Sequence, residues 1–578
     1  MKYFNKIYIA LAFALVISAC SDVFELDEFL DNPNAVTEEA AGVDFLYNQI
    51  QISFANVYGN AHFITDELVR LTAMQSPNYN NELGPAAGNG IWNNFYANLL
   101  PDIQAMNVLA EARGLDIHAG TAKIMQAYAM TTMVDLFGNV PYSQAVLGAA
   151  EEQVLNPTLD SGDAVYAAAT ALLDEAIGQL SGTTAASPNF DNFYGGDDGT
   201  QSNPANWITL ANTLKLRMAN NTRLVSGAGA VATLAAGDII DDPSEDFIYK
   251  FSTNRLNPDS RHPFYGSQYE AADGGYQSNY FMYLLCCEKE VNDPRTRYYF
   301  YRQVNDIFAE SGNAFSCLAV EDWNLESVEA SIPAHYTAVD PNMPFCYAAP
   351  NGWYGRDHGN GLGIPPDGPI RAVYGLYPGG GKWDGNTFST VQNLGEDGGK
   401  GAGIWPIVTA SSVAFMRAEA AFAGSGEDTR ALLEEGVRQS IDKVLSFESI
   451  SAGDFSSTVV DPITGEEVAR GVQFGPSSAD IEEYVGIVLD LYDNSSDQLD
   501  VIMKEFLISL PGNGLEAYNA YRRTGKPNNM QPIQDIQTVD PFPTSVLLPT
   551  NHVNLNVNAV QKSLGDKVFW DNGSAATR

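Results

Sequence analysis

The chain has 578 residues, with 31 Lys and Arg against 71 Asp and Glu, and a formal charge of −40. Apolar residues make up 45 % and aromatics 11 %, too many for a disordered chain, and the length allows about four domains at roughly 150 residues each. The charge excludes a general nucleic-acid binder and disfavours adsorption to an anionic bilayer through a basic face, because both need clustered Lys and Arg.

In chain order, residues 1–19 read as a lipoprotein signal peptide. Lys2 and Lys6 precede an apolar run from Ile7 to Ile17, too short to span a bilayer. The run ends in Ser18-Ala19-Cys20, small residues before a cysteine, so Cys20 is expected to carry the lipid anchor. Residues 20–40 read as an acidic tether. Residues 41–578 read as one domain, a helical scaffold over about 41–224 and 406–525 with a loop-rich ligand-binding region over about 225–405. Val43, Leu46, Ile50, Phe54 and Val57 make one helical stripe. Residues 122–137 are apolar on nearly every side and stop at Gly138. Further stripes run through Val165 to Leu180 and Trp207 to Met218. After the break, others start at Leu433 and Leu499.

Residues 225–405 are dense in Gly, Pro, Asn and aromatics, with little helical period. Linkers do not spend aromatics this way, so ordered loops and short strands over a rigid base are expected. The fold class is therefore mostly α. Cys286, Cys287, Cys317 and Cys346 form no paired knuckle, so no metal site or cofactor is expected. Neighbours such as Cys286 and Cys287 seldom bond each other. A Cys317–Cys346 bridge is one option, and free thiols are another.

Catalytic patterns fail on inspection. The six His include no pair within a helical turn, and no G-x-S-x-G elbow occurs. Gly395–Lys400 resembles a phosphate loop but lacks the following Ser or Thr, and Gly375–Lys382 has its lysine one place late. Glu419, beside Arg417 in an apolar helix, reads as a buried acid paired with an Arg more readily than as a catalytic one. The Asp191–Asp198 loop lacks the acidic ligand that completes a calcium loop, and an ordinary polar loop is favoured.

Several strings together resemble the SusD/RagB family of nutrient-binding outer-membrane lipoproteins. They are Ala127–Met130 running to Asp135–Tyr142, Asn212–Met218, Asn292–Arg295, Gly355–Gly359 with Ile364–Asp367, Phe415–Ala420 and Tyr521–Gly525. One departure is Pro543-Thr544-Ser545, where an arginine is expected before Pro549. The resemblance implies a scaffold of tetratricopeptide-like helical pairs with a loop-rich region packed on it. It also implies a non-catalytic lid at the cell surface that captures oligosaccharides and passes them to a SusC-like TonB-dependent transporter. A peptide-binding lid of the same family and a surface glycosidase are the alternatives. Sugar rings stack on aromatic faces while their hydroxyls need polar partners. The expected ligand residues are accordingly Trp353, Tyr354, Trp323, Tyr276, Tyr79 and Trp383, with Arg356 and Asn351 beside them. Trp353 and Tyr354 lead, because two adjacent aromatics between Gly352 and Gly355 do not easily both point inward. Trp92, with Ile91, Phe95 and Leu99 around it, is expected in the core.

Overall fold

The computed structural model describes residues 42–148, 153–196, 199–271, 275–305, 332–346, 348–349, 353–361, 370–391, 395–534 and 541–573. The tether and Cys20 lie outside them. Helix α1 (Val43–Thr65) opens the scaffold and is followed by α2 (Leu100–Ala112) and α3 (Asp116–Phe137). Helix α3 is buried nearly all round and ends at Gly138, whose φ of 78° suits glycine. Next come α4 (Gly162–Leu180) and α5 (Pro204–Ser226); α5 starts where the Asn203 side chain accepts the Ala205 amide and Pro204 sits in the first turn. Two glycines set how closely α3 and α4 lie: a Cβ on Gly120 would meet Leu180 at 2.8 Å, and one on Gly162 would meet Val134 at 2.9 Å. The contacts join the start of each helix to the end of the other, so the pair is antiparallel.

The chain then leaves the scaffold through strand β1 (Phe247–Lys250). The excursion includes α6 (Asn279–Cys286) and β2 (Trp353–Tyr354) and returns through β3 (Ile404–Val408). Strands β1 and β3 pair antiparallel, Phe247 opposite Val408 and Lys250 opposite Ile404, and so close the base of the loop-rich region. Helix α7 (Ala410–Ala420) starts with a reciprocal cap between Thr409 and Ser412, and α8 (Thr429–Leu445) packs on it. A hairpin of β4 (Thr458–Val460) and β5 (Glu467–Ala469) leads through the short α9 (Arg470–Phe474) into α10 (Ser478–Asn494). Helices α11 (Gln498–Ser509) and α12 (Gly514–Thr524) finish the scaffold. The protein is thus mostly α, with helical pairs supporting a loop-rich region. Among the described residues, no helix is long and apolar enough to cross a membrane.

A buried charged network ties the helical pairs together. Asp135 on α3 accepts hydrogen bonds from Tyr166 on α4, from Asn519 on α12 at 2.9 Å and from the Trp570 indole at 3.0 Å. Arg217 on α5 reaches Asp135 at 3.3 Å and Glu516 on α12 at 2.8 Å. Glu419 on α7 is held by Arg523 at 2.8 Å and Arg223 at 2.6 Å. Arg417 points elsewhere, to Glu427. Arg522 donates to the Thr544 and Asp135 carbonyls, both at 2.7 Å. The segment lacking the expected arginine therefore still receives a guanidinium, through its backbone rather than through an ion pair. Burial by itself would raise the Glu419 carboxyl, but Arg223 and Arg523 hold it down at about 2.

Two cysteines differ from the sequence expectation: Cys286 and Cys287 are bonded to each other, their Cα atoms 3.7 Å apart. Cys287 leaves the helix at φ −136°, ψ −35°, so the side chains escape the 100° splay of successive helical positions. Cys346 is also disulfide-bonded, and Cys317 lies outside the described residues. Asp191 is buried, with one oxygen taken by the Phe193 and Tyr194 amides and the other by Ser202 and Trp207. Among the described residues no cluster of acids, His or Cys is arranged for a metal.

The Glu419 carboxyl titrates lower when folded than the ordinary value of 4.5. The stability it contributes is therefore complete above about pH 4.5 and is lost as pH falls toward 2, about 3 kcal/mol in total. Glu419→Gln is expected to cost about 3 kcal/mol at pH 7 by leaving two buried guanidinium groups short of charge. It should also flatten the acid limb of stability, read by urea denaturation between pH 2.5 and 7.

Candidate functional site

The turn Asn292–Arg297 has two faces. Its inner face is structural: Arg295 pairs with Asp293 at 2.6 Å and donates to Ser440 on α8, Tyr484 on α10 and Glu505 on α11. Its outer face borders a cleft of about 270 Å³, with Asn292, Arg297, Phe474 and the first turn of α10 around it and Trp353 in its wall. The cleft is fixed on one side by the Arg295 cluster and on the other by the Ser477–Asp480 cap that starts α10, in which Asp480 accepts the Ser477 amide and hydroxyl at 2.7 Å each.

Its electrostatics are mixed. Arg297 donates to the Asp384 carbonyl and to Asn386 at 2.8 Å each, and its guanidinium lies 5.3 Å from the Phe474 ring centre. Burial lowers the Arg297 pKa and Asp384 partly restores it. The hydrogen bonds from Ser477 hold the Asp480 carboxyl below its usual value. Glu483 is exposed and makes no ion pair among the described residues. The half-buried Phe474, backed by Arg297, supplies an apolar ring, and Glu483, Asn292 and Arg297 supply hydrogen-bonding groups around it. That combination grips a ring with one apolar face and a polar edge. Two larger grooves contain no aromatic side chain: one of about 810 Å³ along Asp116, Lys123 and Gln179, and one of about 540 Å³ whose lysines pair with Glu288 and Glu505.

The aromatics expected to face a ligand are mostly inside. Trp353 is 4 % exposed and Tyr354 1 %. Both belong to β2, which pairs with residues 348–349, so their side chains leave opposite faces and each face is covered. Arg302 lies 4.4 Å over the Trp353 ring and is clamped by Asp384 at 2.7 Å. This corrects the expectation that one of the pair must point outward. Tyr79 lies between His358 and Phe542, with its hydroxyl taking a bond from Arg70. Tyr276 sits in a two-residue ribbon against Thr72–Ala73, under the Arg356 guanidinium at 4.2 Å. Arg356 is itself buried. Trp383 stacks on Phe455 at 4.1 Å. Trp323 and Asn351 lie outside the described residues. Trp92 is in the core, against Tyr96, Phe137 and His552, as its helical neighbours imply.

Of the expected set, the cleft keeps Trp353 and adds Phe474, Arg297 and Glu483, which sequence reasoning missed. The available signal was Phe474 before Gly475-Pro476 and the Ser477–Asp480 capping box, a turn that leaves an aromatic at an element end. Glu419 offers no acid for glycoside cleavage, since two arginines keep it ionised. Trp383→Ala is expected to act as a core deletion, costing about 3–5 kcal/mol with no selective loss of ligand affinity once corrected for folded fraction. Thermal unfolding alongside binding calorimetry checks this.

Residues 33–321 match the model of a family described as starch-binding and associating with the outer membrane. Residues 399–557 match that of the SusD and RagB outer membrane lipoproteins. No curated protein matches the chain. Among solved structures, a SusD/RagB family protein from Bacteroides thetaiotaomicron is similar at a TM-score of 0.63 and 17 % identity, over 92 % of this chain and 100 % of that one. A protein named as chitin-binding gives 0.62 and 17 %, over 91 % and 99 %. A chitin-binding SusD homologue from Flavobacterium johnsoniae gives 0.55 and 16 %, over 91 % and 99 %. At these identities the likeness speaks for the fold. With the two sequence matches together spanning both scaffold halves and part of the loop-rich region, and the shared fold covering nearly the whole chain, the protein belongs to the SusD/RagB family of outer-membrane lipoproteins.

Proposed function

We propose that the protein is a non-catalytic surface lipoprotein, anchored through Cys20, that captures oligosaccharides and delivers them to a SusC-like TonB-dependent transporter. The observation that carries the reading is the cleft at Phe474: a backed aromatic ring flanked by amide, carboxylate and guanidinium groups on a rigid turn. Two solved relatives are named as chitin-binding, and the matching family model is described as starch-binding, which supports a glycan over a peptide. The net charge of −40 repels polyanions, which favours a neutral glycan. A shallow site with one half-buried ring suits capture followed by release.

Calorimetry with chito-oligosaccharides, malto-oligosaccharides and mixed peptides tests the reading. At least one neutral glycan series is expected to bind without being cleaved. Phe474→Ala should weaken that binding by about 1–3 kcal/mol, the range for aromatic stacking on nucleobases, with the melting temperature nearly unchanged. Binding of peptides alone, or release of shortened sugars, would overturn it. Cys20→Ala should move the protein from the outer-membrane fraction to the soluble one; unchanged retention would remove the anchor from the reading.

A further inference from the structure

A small cavity lies at the seam between the end of α1 and the loop-rich region. It holds about 20 Å³, and its walls include Leu71, Phe264 and Phe281. Set into these apolar walls are His62, Asp66, Thr72, Gln277 and Tyr374. His62 and Asp66 belong to the last turn of α1 and its C-cap. Thr72 and Gln277 stand opposite each other in the two-residue ribbon. His62, Asp66 and Gln277 are 2, 3 and 2 % exposed, so bulk solvent does not serve their polar atoms.

Two nitrogens here, His62 Nε2 and Gln277 Nε2, have no hydrogen-bond partner among the described residues. Both are donors. His62 Nδ1 accepts the Gly514 amide at 2.9 Å, which uses its lone pair and leaves the ring proton on Nε2. Burial lowers the imidazole pKa to about 3, so the ring is neutral. An amide nitrogen such as Gln277 Nε2 only donates. It lies beside the Tyr374 hydroxyl but outside bonding geometry. Asp66 Oδ2 is 3.6 Å from His62 Nε2, beyond a direct hydrogen bond. The same oxygen takes the Thr72 hydroxyl at 2.8 Å, which leaves room for one more donor. Buried N–H groups are nearly always paired, because an unpaired one forfeits its hydration.

We propose that this cavity is a binding site for a single water molecule, which accepts from His62 Nε2 and Gln277 Nε2 and donates to Asp66 Oδ2. The lining selects the occupant. Two inward N–H groups exclude a cation, and a carboxylate excludes an anion, so the guest must both accept and donate. One water needs roughly 10–15 Å³ and makes about three hydrogen bonds when buried. The cavity offers that volume and those three partners, and nothing larger fits. Bound there, the water joins α1 to the ribbon, while His62 Nδ1 joins α1 to the first residue of α12. It is a tie between scaffold and loop-rich region separate from the β1–β3 pairing and from Arg295, and it is independent of the ligand reading.

The test is a crystal structure of the whole chain at a resolution that shows ordered water. Burial pushes the Asp66 carboxyl up to about 7, so crystals are grown at about pH 8, where it is ionised. The expected result is one peak that refines as oxygen, roughly 2.7–3.2 Å from His62 Nε2, Gln277 Nε2 and Asp66 Oδ2. No peak overturns the proposal, as does a direct His62–Asp66 hydrogen bond that closes the gap. A peak with the shorter contacts of a metal ion, about 2.0–2.5 Å, also overturns it. Gln277→Leu removes one donor at similar volume and is expected to lose the peak with the backbone unchanged. A fully occupied peak that persists in Gln277→Leu overturns the three-partner site. If that variant does not fold, nuclear Overhauser transfer between the wild-type His62 Nε2 proton and a long-lived water decides: its presence supports the site and its absence overturns it.

Discussion

The structure depends on charges buried where no water reaches. Asp135, Arg217, Glu516, Arg523, Glu419 and Arg223 come from α3, α5, α7 and α12, and each is paired with a group on another element. Ions removed from water cost several kcal/mol each unless every partner is present. The network therefore tolerates one relative placement of the helical pairs and penalises the others. It also explains why the family strings fall where they do. Arg217 of Asn212–Met218, Glu419 of Phe415–Ala420 and Arg523 of Tyr521–Gly525 are members of the same cluster, so these strings record a structural requirement.

The second anchor is Arg295, which does for the later helices what Arg217 does for the earlier ones. It joins the loop-rich region to α8, α10 and α11 through Ser440, Tyr484 and Glu505. The cleft lies on the other side of the same turn. In the proposed reading, the ion cluster on its reverse face keeps the cleft from reorganising on contact, so ordering costs are confined to the ligand and to Glu483.

The helices were legible in sequence wherever an apolar stripe ran unbroken: α1, α3, α4, α5, α8 and α11 fall on the expected stripes. Helix α10 was not, because its buried Tyr484, Val485, Val488 and Leu489 sit among acids that mask the period. The site was less legible still. Trp353 and Tyr354 look exposed beside two glycines, yet their fate is decided by Arg302 and by the strand at residues 348–349, contacts that local composition does not encode. Phe474 escaped notice for the opposite reason: an unremarkable aromatic in a short helix becomes available because Arg297, distant in sequence, backs it. The bonded pair Cys286 and Cys287 depends on the backbone turning out of a helix at one residue, which spacing alone does not reveal.

The β1–β3 ribbon has a topological consequence. It brings Lys250 and Ile404 opposite one another, so everything between them is an excursion whose two ends are already joined. Lengthening such an excursion is cheap, roughly 0.6 kcal/mol for each doubling. The excursion can therefore lengthen between its fixed points without moving the helices, while Arg295 must keep its partners on α8, α10 and α11. In the proposed reading Phe474 and Glu483 come from the scaffold side of the cleft and Arg297 and Trp353 from the excursion, so its two walls belong to parts of the chain held to different constraints.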